Sequence, residues 1–390
     1  MNLSEFYTDD RFSKILVGAF ESKQANTVLD LGVGNGALIH EAFNRWERAA
    51  FYVVDLDPHA QLPLFPDTRL SLKFHRTNGL FFNLPRKLGL KDGSIDIAVC
   101  NPPFGRIKKR NVFFRIFQKA GLPELWQSHI LTTELIFVAQ NLRLLRTGGE
   151  LGLILPASLI SGQRFRLFRK LLLERHRVFG IYQLPENVFP KTEALTYILM
   201  LQKNVGPSEV VPLYQLSKDG EVKNYLKVET SLLTERMDYK FFVNRQTAHK
   251  PTLGMLNPSI KRGRHTQKMC KDSGIPYFHT NSFKLYPNGI AYLEEITEFP
   301  NAVMSLPGDI LVARVGKRVM GKSALVVSGK KLITDCVFRI RIESEDDRMR
   351  AFKALRSKKA FAWLSGISRG VCAKYLTISD ILKLPLEFGD

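Results

Sequence analysis

Residues 10–23 space Phe12, Ile15, Leu16, Ala19 and Phe20 as one face of a helix, and the apolar run at 27–32 then stops in glycines. That short run reads as a buried strand, because it is continuous and is closed by turn residues. GALIHEAFNRW (36–46) has helical spacing. AAFYVVDLD (49–57), SLKFHRTN (71–78) and SIDIAVC (94–100) follow as strands, the middle one weaker. TELIFVAQNLRLLR (133–146) predicts a helix, GELGLILP (149–156) a strand, RLFRKLLLERH (166–176) a helix and ALTYILMLQK (194–203) a last buried strand. Strands alternating with helices predict a parallel α/β sheet covered on both faces.

The texture changes after Lys203. Residues 204–224 read as a linker or peripheral elements. From about residue 245 short β-like runs appear between turns: IPYFHT, GIAYLEEI, GDILVARVG, SALVVSG and CVFRIRI. A chain of 390 residues is long enough for two domains, and the boundary falls between 205 and 245.

Charge sharpens this division. The formal net charge is +20, from 57 Lys and Arg against 37 Asp and Glu. Residues 241–390 hold 25 of the basic and 13 of the acidic residues, a net of +12, which leaves +8 for residues 1–240. Such an excess points to a polyanion, nucleic acid first. Four scattered cysteines, with no CxxC, disfavour a disulfide framework and a structural zinc. The N-terminal stretch lacks a secretory apolar region, and no apolar run reaches the roughly 20 residues that span a bilayer. The expectation is an intracellular protein with no membrane association.

Candidate chemistry sits at the predicted strand ends. In Asp30-Leu-Gly-Val-Gly-Asn-Gly36, Gly32, Gly34 and Gly36 allow a tight turn and close approach to a ligand. Asp55 ends the next strand, where a carboxylate can take ribose hydroxyls. A leading Asp30 would repel pyrophosphate and suits a cationic ligand, which disfavours NAD and points to S-adenosylmethionine. At the end of the fourth strand stands Asn101-Pro-Pro-Phe104. The Asn101 side-chain carbonyl and the Pro102 carbonyl are two acceptors for an exocyclic amino group. Pro103 stiffens the turn, and Phe104 can stack on the ring that bears the amine. Gripping both N–H bonds turns the nitrogen lone pair toward a methyl donor, an electrostatic preorganisation that requires no prior proton transfer. Arg106, Lys108, Lys109 and Arg110 follow at once, placed to hold phosphates flanking an extruded nucleotide. Such a charge run is also compatible with a solvated loop.

With these residues in this order, the chain resembles the N6-adenine DNA methyltransferases in which cofactor motifs come first, the catalytic motif next and a target-recognition domain last. Phe6-Tyr7-Thr8 is similar to the opening motif, with Thr8 the expected cofactor contact; Asp30–Gly36, Asp55 and Asn101–Phe104 match the glycine, ribose and (D/N)PP(Y/F) motifs. GGELGLILP and LPENVFPKTEALTYILML match later core motifs, and Phe189 is similar to a second aromatic wall for the target base. Two positions depart from the pattern. Asn78 stands where an Asp usually touches the cofactor's adenine, and Asp9 stands where a proline is common. Residues 245–390 resemble target-recognition domains of type I specificity subunits through ERMDYKFF as a lead-in, IKRGRH, LPGDILVARVG and GVCAKYLTISDILKLPL.

The resemblance implies a Rossmann-like α/β catalytic domain over 1–235 with a mixed, mostly parallel sheet, and a smaller α+β DNA-recognition domain over 236–390. Arg262, Arg264, Arg314, Lys317, Arg318 and Lys322 become candidate DNA contacts. It further implies S-adenosylmethionine as cofactor, double-stranded DNA as substrate, a restriction endonuclease on a separate chain, and a cytoplasmic location in a bacterial or archaeal cell, or one infected by a phage that encodes it. Two other readings stand beside it: methylation of an RNA base or a protein glutamine, and a catalytically silent DNA-binding partner.

Overall fold

The computed structural model describes residues 8–58, 60, 71–128, 130–185, 195–245, 251–296, 299, 301–316, 318–370 and 374–389. The chain divides into two compact units, Met1–Tyr239 and Lys240–Asp390.

The first unit opens with α1 (Asp10–Gly18), β1 (Thr27–Leu31), α2 (Ala37–Arg45), β2 (Ala50–Asp55), β3 (Ser71–Arg76), α3 (Leu84–Leu88), β4 (Ile95–Cys100) and α4 (Asn111–Lys119). It continues with α5 (Thr133–Leu144), β5 (Leu145–Pro156), α6 (Ala157–Ser161), α7 (Arg166–Arg175), β6 (Arg177–Gln183), β7 (Thr196–Gln202), β8 (Val210–Leu216), β9 (Val222–Glu229) and α8 (Thr230–Leu233). Its sheet runs β3-β2-β1-β4-β5-β7-β6-β8-β9. The first five strands in that order are mutually parallel. β7 lies antiparallel between β5 and β6, and β8 and β9 form an antiparallel pair at the edge. The mixed, mostly parallel α/β sheet is as expected. Of the two readings of residues 204–224, linker or peripheral elements, the second holds: Val210–Leu216 forms β8 and β9 begins at Val222, and the two extend the sheet at its edge. β9 is largely exposed on its outer side and so lacks a buried strand's apolar run.

Strand alternation assigns the two faces. Ile97 and Val99 of β4 point into a core with Val28, Phe51 and Val53, covered by Phe12, Leu16 and Phe20 from the α1 region and by Leu38, Ile39 and Trp46 from the α2 region. Phe20 and Trp46 meet edge to face at 5.3 Å. Gly152 of β5 is required here, because a Cβ would come within 2.7 Å of Leu16 Cδ2 and 3.0 Å of Phe20 Cζ. Cys100 is directed to the other face, toward Asn141 of α5. All twelve residues of α5 are buried. It has no solvent face, so its polar side chains must find partners inside the protein.

The second unit contains α9 (Tyr239–Arg245, which begins at the division), β10 (Ser259–Arg262), α10 (Gln267–Asp272), β11 (Tyr277–Phe278), β12 (Ile290–Glu295) and β13 (Met304–Ser305). Then come β14 (Ile310–Ala313), β15 (Ser323–Ile333), β16 (Val337–Arg341), α11 (Glu345–Arg356), α12 (Lys358–Ile367) and α13 (Ile378–Leu382). Its strands follow β10-β16-β14-β15-β11, with β12 and β13 also on β15. The short runs expected from the sequence are these strands. Among the described residues, no helix is long and apolar enough to cross a membrane.

Candidate active site

β1, β2, β3 and β4 run parallel, and the sheet order places β1 between β2 and β4. The connections therefore diverge at the β1/β4 boundary, the usual crevice for a ligand at the carboxyl ends of such strands. The candidate residues converge on that edge. Gly32, Gly34 and Gly36 have φ of +90°, +55° and +80°, a backbone region that other residues adopt only with strain. Their alternate spacing thus follows from the path of the turn between β1 and α2. Gly32 also borders the neighbouring turn: a Cβ there would lie 3.9 Å from the Asn101 carbonyl oxygen and 4.0 Å from Pro103 Cδ.

Asp30 is fully buried, and neither of its carboxylate oxygens has a hydrogen-bond partner among the described residues. Burial, with the charge of Asp55 added, holds its carboxyl well above the usual carboxylate range. An uncompensated buried carboxyl is costly, and a cation in the crevice would relieve that cost. Asp55 is already engaged in the turn, where Oδ2 accepts the Gly34 N–H at 2.9 Å and Oδ1 accepts the Asp57 N–H at 2.8 Å. Each oxygen keeps a second lone pair for a further donor. Asn78 Oδ1 likewise accepts the Leu80 N–H at 2.9 Å. The substituted Asn therefore closes a local turn and keeps one remaining lone pair for a ligand.

Thr8 is buried, and its hydroxyl receives the Asn101 side-chain N–H at 3.1 Å. The structure therefore joins Thr8 to the Asn101–Phe104 turn. Asp9 is the N-cap of α1 and accepts the Arg11 N–H at 3.0 Å. That role accounts for the absence of a proline there, and the Arg11 guanidinium holds the Asp9 carboxyl below its ordinary value. Phe6, Tyr7 and Phe189 lie outside the described residues.

The Asn101–Phe104 turn is anchored downstream. Gly105 to Ile107 pairs with residues 131–133, through an Arg106–Thr132 bridge, the Ile107 N–H on the Leu131 carbonyl at 3.1 Å and the Thr133 N–H on the Gly105 carbonyl at 2.8 Å. Arg106, Lys108, Lys109 and Arg110 are exposed. Lys109 differs from the other three: Nζ donates to the Trp126 carbonyl at 2.8 Å and lies 5.1 Å from that ring's centroid.

Several residues of the site carried no sequence signal. A Cβ at Gly32 or Gly79 would stand 3.6 or 3.3 Å from the ring of Phe137 on α5, so this ring lies between the glycine turn and the Asn78 loop. Gln140, one helical turn on, donates to the carbonyls of Gly79 and Phe81 at 2.9 and 2.8 Å, and Arg143 donates to that of Phe82 at 2.7 Å. Helical periodicity marks Phe137 as core and Gln140 and Arg143 as a polar face, whereas all three are buried. Leu56, directly after Asp55, is 61% exposed. Such exposure of an apolar side chain between Asp55 and Asp57 is not signalled by the strand's apolar run.

In the second unit, Arg262 and Arg314 converge on Asp335. Both Nε atoms donate to its carbonyl, at 2.9 and 3.0 Å, and an Arg262 Nη lies 3.1 Å from its carboxylate. Burial, reinforced by the Arg262 charge, pushes the Arg314 guanidinium below its ordinary value. Arg264, Arg318 and Lys322 are exposed, and Lys317 lies outside the described residues.

Residues 71–253 match the family model described as N-6 DNA Methylase. The type I restriction enzyme EcoEI methylase subunit of Escherichia coli is 25% identical over 252 residues, covering 58% of this chain and 48% of its own. The type II methyltransferase M.BsuBI of Bacillus subtilis is 22% identical over 282 residues, covering 66% and 55%. The chain spans about half the length of these two relatives. Among solved structures, the type IIG restriction endonuclease BpuSI shares the fold, with a TM-score of 0.53, 11% identity and coverage of 97% of this chain and 58% of that one. The resemblance to N6-adenine DNA methyltransferases drawn from the motifs is borne out by the family match and these relatives.

Proposed function

We propose that this chain is the modifying enzyme of a restriction–modification system and methylates the N6 amino group of adenine in double-stranded DNA. The observation that carries this reading is the abutment of Gly32 on Asn101 and Pro103, which brings a cation-seeking cofactor turn against two acceptors suited to an amine.

S-adenosylmethionine supplies an electrophilic methyl group on a sulfonium. The chain fits such a cofactor on its own chemistry: Asp30 offers a buried uncompensated carboxyl, Asp55 faces the ribose position, and Leu56, Phe137 and Asn78 are suited to a flat base. Thr8 fixes the Asn101 amide with its nitrogen engaged, so the carbonyl branch accepts from the target amine beside the Pro102 carbonyl. Phe104 stacks on the target ring, with Phe189 as its proposed partner. The amine proton lost after transfer passes to solvent.

A duplex adenine reaches such a pocket only when extruded. Arg106, Lys108 and Arg110 are suited to the flanking phosphates. The second unit, with its net charge of +12 over 241–390, serves as the target-recognition domain. An endonuclease would act from a separate chain, in the cytoplasm. The test is transfer of labelled methyl groups to unmethylated DNA, RNA and cell protein in parallel. Label confined to DNA as N6-methyladenine supports the reading, and label only in RNA or protein overturns it.

A further inference from the structure

We propose that Glu134 is a positioning residue for the target-stacking aromatic: with Thr133 it clamps Gly105 and so fixes where Phe104 stands. This rests on the reading above, in which Phe104 stacks on the extruded base. Pro102 and Pro103 have no N–H, so the turn after Asn101 has few donors with which to hold itself. Gly105, immediately after Phe104, is held through both of its backbone polar groups. Its N–H donates to Glu134 Oε2 at 3.3 Å, and its carbonyl accepts the Thr133 N–H at 2.8 Å and the Thr133 hydroxyl at 3.3 Å. Both backbone polar groups of that residue therefore end on the first turn of α5. The same helix presents Phe137 and Gln140 to the cofactor-side loops, so one buried element sets the spacing of both halves of the site.

Glu134 is only 5% exposed, and burial raises its carboxyl above the usual range. A purely structural role for a carboxyl in that place makes a clear forecast. An apolar replacement would lower the Tm, because it leaves the Gly105 N–H without its acceptor. The positioning role forecasts a different pattern, with stability kept and catalysis lost. The Gly105–Glu134 bond, at 3.3 Å, lies just beyond the usual N–H···O range of about 2.7–3.2 Å, so its loss loosens the loop and leaves the fold intact.

The experiment compares full-length wild type with Glu134→Leu and Glu134→Gln. Three quantities are read: initial rates on unmethylated genomic DNA, S-adenosylmethionine affinity by calorimetry, and hydrogen–deuterium exchange of the peptide spanning 101–110. The expected result for Glu134→Leu is a kcat about 10- to 100-fold lower, the cost of a small misplacement, with cofactor affinity and Tm retained and faster exchange in that peptide. Glu134→Gln keeps a carbonyl acceptor and should stay within about threefold of wild type on the same argument. Wild-type kcat and exchange in Glu134→Leu overturn the inference. If Glu134→Leu does not fold, Glu134→Ala takes its place with the same expectations. A wild type without transfer activity on DNA counts against the function proposed above, and the exchange of residues 101–110 then decides the clamp by itself.

Discussion

The side-chain nitrogen of Asn101 donates to the hydroxyl of Thr8 at 3.1 Å, linking the Asn101–Phe104 turn to the residue just before the N-cap of the first helix. Asn101 has two chemically opposite ends, and a donor turned toward the target amine would repel it. Thr8 takes the donor end, and in the proposed reaction this leaves the carbonyl end for the target amine.

Thr8→Val removes that hydrogen bond while keeping the side chain's shape. The expected result is a kcat about 10-fold lower, near the cost of one buried hydrogen bond of about 1.4 kcal/mol, with the KM for S-adenosylmethionine within about twofold. A raised KM with kcat intact would instead place Thr8 on the cofactor, as its motif implies.

Asp30 makes opposite forecasts for the free and bound protein. Its folded pKa is raised, so over a window above the ordinary carboxylate range the native state retains a proton that the unfolded chain has released. Stability from this group is present at low pH and is lost as pH rises through the raised value. Asp30→Asn should therefore raise the Tm of the ligand-free protein at neutral pH by a few degrees, at roughly 2–4 °C per kcal/mol. A cation in the site favours the charged carboxylate. Cofactor binding by wild type should tighten with rising pH across that window and release protons, detectable by calorimetry in buffers of different ionisation enthalpy. Asp30→Asn should lose both effects and most of the thermal shift on adding cofactor. A destabilised apo variant that still binds normally would contradict this assignment.

The basic loop after Phe104 divides by geometry. Arg106, Lys108 and Arg110 are exposed, whereas Lys109 is held on the carbonyl and ring of Trp126. Alanine at each of the first three should weaken DNA binding regardless of sequence and reduce the slope of log K against log salt by about 1. Lys109→Ala should change that slope less. Titrations by fluorescence anisotropy at several salt concentrations measure both, and equal slopes for all four variants would reject the division.

Much of this architecture is legible along the chain, for identifiable reasons. β1, β2, β4, β5 and β7 are buried on both faces, so each appears as an apolar run. β6 (RVFGIYQ) is interrupted by Gly180 and bounded by Arg177 and Gln183, and the edge strand β9 faces solvent; neither gives such a run. The first helix ends at Gly18, short of the 23 that its spacing implies, because the Glu150 carboxylate accepts the N–H of Glu21 at 2.9 Å and the hydroxyl of Ser22 at 2.6 Å. That carboxylate lies far along the sequence, beyond the reach of periodicity. Asp30, Asp55 and Asn101 stand out because each is a polar residue at or near the point where a strand's apolar run stops. Phe137, Gln140 and Glu134 do not, since a buried helix reads the same whether it supports a site or fills a core.

The most direct test of the account is the N6-methyladenine content of DNA from a methylation-deficient bacterial host expressing this chain, compared with the same host expressing Asn101→Ala. Quantitative nucleoside mass spectrometry should find the modified base with wild type and at least about 100-fold less with the variant, the cost expected for losing one preorganised transition-state contact. The purified variant should still bind S-adenosylmethionine. Equal modification by both proteins, or modification by neither together with no transfer to DNA in vitro, would contradict it.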